Sequence, residues 1–226
     1  MSDNLDLLLA NLQVPVDYAR IQYITEDSTL ARLDEWKASA ERVLIELRLI
    51  LDRKNFELSL KDKADVIQAT ASFDGQDPWI TPIGRSAAEG ILQQFDPPQS
   101  LLTYILNGHV KPLFQLNPHP KLNASGRKLP RPAGGPMATH DFYDDQMWKT
   151  APGVANLVLW CVRHIHRDWY ETLWHLIIPP VMALLDDFET SYKLRGVGIV
   201  SEMFLEVPGQ LLKRTGVDGL IRLVSY

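Results

Sequence analysis

A chain of 226 residues, 46% hydrophobic and 23% charged, has the composition of an ordinary folded protein and enough length for one large domain or two small ones. Its net charge of -5 argues against a primary nucleic-acid binder, which needs a basic face to displace counterions. The single cysteine, Cys161, rules out an intrachain disulfide; the acidic start Met1–Asp6 is no secretory signal, and the longest apolar run, 176–185, is about half of the ~20 residues that span a bilayer. The expected location is therefore the cytoplasm and nucleus, with no membrane partner and no direct nucleic-acid partner.

Leu5 to Leu12 reads as a short helix that Pro15 ends. Asp27 or Ser28 opens the clearest helix. There Leu33, Trp36, Ala40, Val43, Leu47 and Ile50 recur at steps of three and four, while Glu35, Lys37, Glu41, Arg42 and Arg48 fill the opposite face. That stripe is too short for the sustained heptads of a coiled coil, so it predicts packing against neighbouring helices. Ser59 with Asp62 reads as a capping box, and Thr81-Pro82 as a cap followed by proline at the first helical position. The helix after Thr81 is expected to bury Ile83, Ala87 and Ile91. A helix from Ser100 is expected to end at Gly108.

Residues 117–140 differ in kind. They hold five of the fifteen prolines and three of the thirteen glycines, without helical period. Lys121, Arg127, Lys128 and Arg131 add four positive charges to an acidic protein. A long irregular segment of this sort is expected to be either a docking loop for an acidic or phosphorylated partner, or a solvated connection. It separates an N-terminal helical region, 1–116, from a second helical region, 141–226.

In the second region Pro152-Gly153 opens a helix with Val154, Leu157, Val158, Cys161 and Ile165 inward. Residues 168–207 then read as two apolar helices joined by a polar turn. Asp168 and Glu171 are spaced as a cap and its partner. Pro179 and Pro180 each remove a backbone donor, which predicts a kink. The carboxylates Asp186 and Asp187 oppose the dipole at their helix end and need a cation, for which Lys193 or Arg195 is near in sequence. Gly196 and Gly198 lie inside the second helix, where small residues let a neighbour approach. No segment alternates as a strand does. The predicted class is all-α, a HEAT- or armadillo-like α-solenoid of stacked helical hairpins.

Candidate chemistry is sparse. Cys161, His164, His166 and Asp168 invite a metal reading, but His166 points away from the face shared by residues 161 and 164, and structural zinc spacing is missing. His140, Asp141, Asp144 and Asp145 form an acidic cluster without calcium-loop spacing. Gly134-Gly135-Pro136 lacks the lysine of a phosphate loop, and Asn123-Ala124-Ser125 is a glycosylation sequon without a secretory signal.

Several stretches together resemble a known family. They are Lys-Pro-Leu-Phe at 111–114, Gly-Arg-Lys-Leu at 126–129, Arg-Pro-Ala-Gly-Gly-Pro at 131–136, Trp148-Lys149, Pro152-Gly153 and Trp160-Cys161. Leu-Ile-Ile-Pro-Pro at 176–180, Leu-Leu-Asp-Asp at 184–187, Tyr-Lys-Leu-Arg-Gly-Val at 192–197 and Leu-Leu-Lys-Arg-Thr-Gly-Val at 211–217 complete the set. This pattern, dense from Leu102 to Asp218, resembles the family of the second TELO-interacting protein, the smallest subunit of the TTT co-chaperone complex, in a fungal-type form. Residues 1–101 share only its helical character.

The resemblance implies a non-catalytic, HEAT-like scaffold without cofactors. Its partners would be the first TELO-interacting protein and, through it, the TEL subunit. The complex works with the ninety-kilodalton heat-shock chaperone and its adaptor on newly made phosphatidylinositol-kinase-related kinases, which govern DNA-damage, telomere and nutrient signalling. Residues expected to bind partners or to define the repeat are Arg127, Lys128, Arg131, Trp148, Trp174, Pro179, Pro180, Asp186, Asp187, Lys193, Arg195 and Gly196. Family members continue with further helices beyond 217, so the chain is expected to stop, as a truncated gene model would, on an exposed apolar edge at Val217, Leu220, Ile221 and Leu223. Two rivals stand beside this reading: a general α-solenoid cargo adaptor, and an α-helical metal-dependent hydrolase using His140, Asp144, Asp145 and His164.

Overall fold

Ser59 and Thr81 start helices as their capping chemistry dictates. The Ser59 hydroxyl accepts the Asp62 amide at 3.1 Å, and the Asp62 carboxylate accepts the Ser59 amide in return at 3.4 Å. The Thr81 hydroxyl accepts the Gly84 amide at 2.8 Å, ahead of Pro82. The computed structural model describes residues 2–52, 57–133 and 146–224. Its architecture is all-α and α-solenoid-like, each helix packing on its neighbours, and among the described residues no strand forms. It divides into two compact units, Met1–Pro97 with Lys149–Leu157, and Pro98–Trp148 with Val158–Tyr226.

The first unit contains α1 (Ser2–Asn11), a 3-10 turn at Val16–Tyr23, α2 (Asp27–Leu51), α3 (Leu60–Ala71) and α4 (Pro82–Leu92). The stripe predicted on α2 buries Leu33, Ala40, Leu44 and Leu47, with Trp36 and Val43 partly covered, and α2 packs on α1 and α4. On α4 the buried face runs through Gly84, Ala87, Ala88 and Ile91. Ile83 was expected on that face but is 58% exposed. One helical position from Gly84, it is turned about 100° away from the seam. Tyr18 sits between Trp36 and Trp79, with ring centroids 5.6 and 5.7 Å away, and its hydroxyl donates to the Leu33 carbonyl at 2.9 Å. The first turn of α7 (Val154–Arg163) belongs to this unit. Asn156 donates to Asp77 at 2.8 Å and to the Ser72 carbonyl at 3.3 Å. Gly153, at φ +88, lies so close to Ser72 that a Cβ would come within 2.7 Å of it.

The second unit opens with α5 (Gln99–Ile105), a π turn at Leu106–Val110 and α6 (Lys111–Phe114). Gly108 was expected to end a helix. Instead the chain stays helical and widens by one residue per turn, which relieves the clash that Pro112 would otherwise make with the carbonyl of residue 108. The centre of the unit is α8 (Tyr170–Leu185). It packs on the π turn, α6, α9 (Thr190–Glu206) and α11 (Val217–Val224), and runs as one helix through Pro179 and Pro180. The predicted cap at Asp168 does not form. Residues 167–169 make a 3-10 turn, and Glu171 reaches Arg214 on α10 (Gly209–Thr215) instead.

Two further expectations meet the packing here. Gly196 presses α9 onto α8, because a Cβ there would lie 2.6 Å from the Leu185 amide nitrogen, whereas a Cβ at Gly198 would meet nothing. The exposed apolar edge expected near the C-terminus is corrected by burial. Val217, Leu220 and Ile221 are at most 4% exposed because α11 folds back on α8, and the Leu223 side chain lies outside the described residues.

Candidate functional site

The proline-rich segment is the part of the second unit that carries charge to the surface. Its described residues, 117–133, form a strap held down at three places. At its tip, Asn123 organises a tight loop: its carboxamide oxygen accepts the amides of Ser125 and Arg127 at 3.0 and 2.9 Å, and Gly126 takes φ +72. The Gly126 carbonyl accepts the indole N–H of Trp174 at 2.9 Å, and a Cβ on Gly126 would lie 3.1 Å from that ring. Glycine is needed there both for the left-handed backbone and for the close approach to the indole.

The second attachment is on α10. The Lys128 amide donates to the Thr215 carbonyl at 2.9 Å, and the stem of Lys128 lies over Gly216, which closes α10 at φ +71. Lys121 and Leu129 close the strap on itself through a 2.8 Å backbone bond.

The third attachment corrects an expectation about charge. Asp186 was expected to pair with Lys193 or Arg195. It instead accepts Lys121 at 2.9 Å and His119 at 3.2 Å. The reason is tertiary: the strap brings its own cation to the C-terminal end of α8, where Asp186 is only 15% exposed. The Lys121 amide donates to His119 Nδ1 at 3.2 Å, which fixes the ring with its proton on Nε2, facing the carboxylate. Asp187 serves the turn, accepting the Glu189 amide at 2.8 Å.

Burial alone would raise the Asp186 carboxyl, but the hydrogen bonds from His119 and Lys121 and the Lys121 charge outweigh it and hold it below its ordinary 3.8. A depressed folded value stabilises the fold above pH 3.8, and that contribution is lost as the pH falls through the lower folded value. Stability measured by urea unfolding should therefore drop below pH 3.8 in the wild type. Asp186→Asn should start about 2 kcal/mol less stable at neutral pH and lose that part of the acid dependence. Parallel pH profiles for the two proteins would discard this account.

With the strap anchored, Arg127, Lys128 and Arg131 are exposed, as are Lys213 and Arg214 of α10. Arg127, His175 and Arg214 line one shallow cleft, and Arg214 with Arg167 lines the next; an exposed Arg214–Glu171 ion pair of 2.7 Å lies at both. The fold thus gathers cations from three separate segments of an acidic protein. Arg167 and Arg214 were missed from sequence because nothing in the chain's linear order places them beside the strap.

The other candidate residues differ in burial. Trp148 is buried, stacked on Phe114 at 5.6 Å and edge-on to Tyr192 at 4.7 Å. Trp174, Pro180, Asp187 and Gly196 are buried, while Pro179, Lys193 and Arg195 are half-buried.

The chemistry that these side chains could perform is limited. Burial pushes the Cys161 thiol far up, away from a reactive thiolate. His164 Nδ1 is engaged with the Trp160 carbonyl at 2.8 Å, and the His166 ring packs edge-on against Trp169 at 4.5 Å. Among the described residues no group of three histidines, cysteines or carboxylates could hold a metal, and no helix is long and apolar enough to cross a membrane. His140, Asp141, Asp144 and Asp145, like Gly134-Gly135-Pro136, lie outside the described residues.

A model of the Tti2 family matches residues 66–223, from α3 to α11. The chain belongs to the Tti2 family. The match confirms the resemblance read from residues 102–218 and carries it back through α3 and α4, where no motif was legible. Among relatives, TELO2-interacting protein 2 of Homo sapiens is 25% identical over 151 residues, covering 66% of this chain and 27% of the human protein. The protein of the same name in Rattus norvegicus is 27% identical over 63 residues, covering 28% of this chain and 12% of its own length. The chain thus matches 27% of the human relative's length and 12% of the rat relative's. No solved structure matches it.

Proposed function

We propose that this chain is a non-catalytic scaffold subunit of the TTT co-chaperone complex, working in the cytoplasm and nucleus. It binds the first TELO-interacting protein and, through it, the TEL subunit. With the ninety-kilodalton heat-shock chaperone it supports the folding, stability and assembly of phosphatidylinositol-kinase-related kinases. The observation that carries this reading is the family match over residues 66–223, supported by relatives named for interaction with TELO2. The interaction surface is the strap with α10, where Arg127, Lys128 and Arg131 are exposed and the amides of Arg127 and Lys128 are bonded to Asn123 and Thr215. Trp174, Asp186, Lys121 and Gly126 position these cations; Trp148, Pro179, Pro180, Asp187, Lys193, Arg195 and Gly196 shape the helical repeat behind them.

A pull-down of the tagged chain from cells tests both levels. The wild type should recover the first TELO-interacting protein and the TEL subunit. The triple charge reversal of Arg127, Lys128 and Arg131 to Glu should lower that recovery at least tenfold while changing the unfolding free energy by no more than about 0.5 kcal/mol per substitution, as exposed residues do. Recovery of neither partner by the wild type would defeat the assignment. Equal recovery by both proteins would move the interface off the strap.

A further inference from the structure

The strap and α10 carry Lys121, Arg127, Lys128, Arg131, Lys213 and Arg214, and neither segment contains an Asp or Glu. The bond from the Lys128 amide to the Thr215 carbonyl joins the two. Lys121 is engaged by Asp186, and the other cations are exposed. Among the described residues, Arg127, Lys128, Arg131 and Lys213 have no ion-pair partner. Two guanidiniums from these separate segments, Arg127 and Arg214, line one cleft with Glu171 and His175 of α8. Glu171 pairs there with Arg214 at 2.7 Å, but the two side chains are 72% and 53% exposed. So open a pair is weak, because water and salt screen it and two long side chains must be ordered to make it.

We infer that this cleft takes a phosphorylated side chain from an acidic segment of the partner. The carboxylate already in the cleft decides between phosphate and carboxylate as the ligand. A partner aspartate or glutamate brings one charge and exchanges with Glu171 like for like. A phosphoryl group brings a charge of about -1.5 to -2 and three acceptor oxygens. It accepts from the forks of Arg127 and Arg214 together while Glu171 turns out to solvent. Both forks stand on backbone that is already fixed, since Asn123 holds the Arg127 amide and Arg214 lies in α10, so binding has little left to order. Lys128 and Lys213, their neighbours along the chain, are exposed without lining the cleft, and they suit acidic residues on either side of the phosphate. Nucleic acid fits less well. The Trp174 indole that lines the cleft is 3% exposed and offers no face on which a base could stack.

Fluorescence anisotropy with the purified full chain tests this, using a labelled peptide that carries one phosphoserine between aspartates. The phosphopeptide should bind at least about tenfold more tightly than the same peptide with serine or glutamate in that place. Arg127→Gln and Arg214→Gln should each remove most of that difference. Lys63→Gln, an equal loss of charge at an exposed site on α3, should leave it unchanged. Glu171→Gln should tighten the phosphopeptide by about two- to fivefold, because it frees Arg214 from a competitor. Equal affinity for the three peptides overturns the inference. So does a Glu171→Gln chain that binds no more tightly, since the phosphate then lies outside the cleft. Displacement of the peptide by a single-stranded oligonucleotide at matched phosphate concentration would make nucleic acid the ligand instead. The inference rests on the strap being the partner surface, and the two fail separately. Absence of phosphopeptide binding by the purified chain overturns the inference whatever the pull-down recovers. Phosphopeptide binding beside a pull-down that survives the charge reversal upholds the cleft and moves the TELO partners to another surface.

Discussion

Gly196→Leu should destabilise the second unit by about 3 kcal/mol or more, the upper end of what overpacking costs. The atoms in the way are backbone. A Cβ would lie 2.6 Å from the Leu185 nitrogen, 2.7 Å from its Cα and 2.9 Å from the Leu184 carbonyl carbon. Backbone inside a packed helix cannot turn aside as a side-chain tip can, so α9 has to lift from α8. Ile199, Val200 and Met203, on the same buried face, then lose contact. The control is Gly198→Ala, two residues along the same helix, with open space around its Cβ. It should be neutral or stabilise by up to about 1 kcal/mol through helix propensity alone. Urea unfolding of the pair separates packing from propensity. Equal losses at both positions would mean that the glycines matter for the helix itself, and the close crossing of α8 and α9 would have to be abandoned as the cause.

Trp174→Ala should cost about 3–5 kcal/mol and release the strap. The indole is 3% exposed, lies against Gly126 and donates to the Gly126 carbonyl at 2.9 Å. Its removal leaves a cavity and strips the strap tip of its anchor. Trp174→Phe separates the two contributions. It keeps most of the ring contact but leaves a buried carbonyl without its donor, an expected loss of about 1–3 kcal/mol. Trypsin reads the consequence at Arg127 and Lys128. Cleavage there should be slow in the wild type, because both residues are bonded through their amides, to Asn123 and to Thr215. It should be fast in Trp174→Ala and intermediate in Trp174→Phe. Unchanged cleavage in the alanine variant would show that Lys128 and Asp186 hold the strap without the indole.

These two residues stand at the boundary between what was legible in the chain and what was not. Periodicity and capping are local properties, so α2, α3, α4, α7 and the α8–α9 hairpin could be read from spacing alone, and the all-α class followed from the lack of alternation. Gly196 was readable as a site of close approach because a buried glycine in a helix has few other uses. Family membership was legible because its motifs are dense in the second unit.

Charge partners were not legible, because an ion pair depends on which segments the fold brings together rather than on distance along the chain. Lys193 or Arg195 was assigned to the Asp186–Asp187 pair, but Lys121 reaches Asp186 across 65 positions. The same holds for the apolar residues of α11. Read along the chain they are an unprotected edge; in the fold they are a buried face on α8. The π turn at 106–110 was hidden for a related reason, since Gly108 alone signals a stop, and only its relation to Pro112 within a continuing helix turns it into a widened turn.

The sequence by itself determined most of the helices, the caps at Ser59 and Thr81, the class and the family, because each rests on short-range spacing or on a pattern of residues shared with a known family. The tertiary structure decided that the proline-rich segment is a strap rather than a free loop. It also decided that Trp174 and Asp186 hold this strap down, and that its cations share a surface with those of α10. Those outcomes turn on burial and on contacts between segments tens of residues apart, which no local pattern encodes.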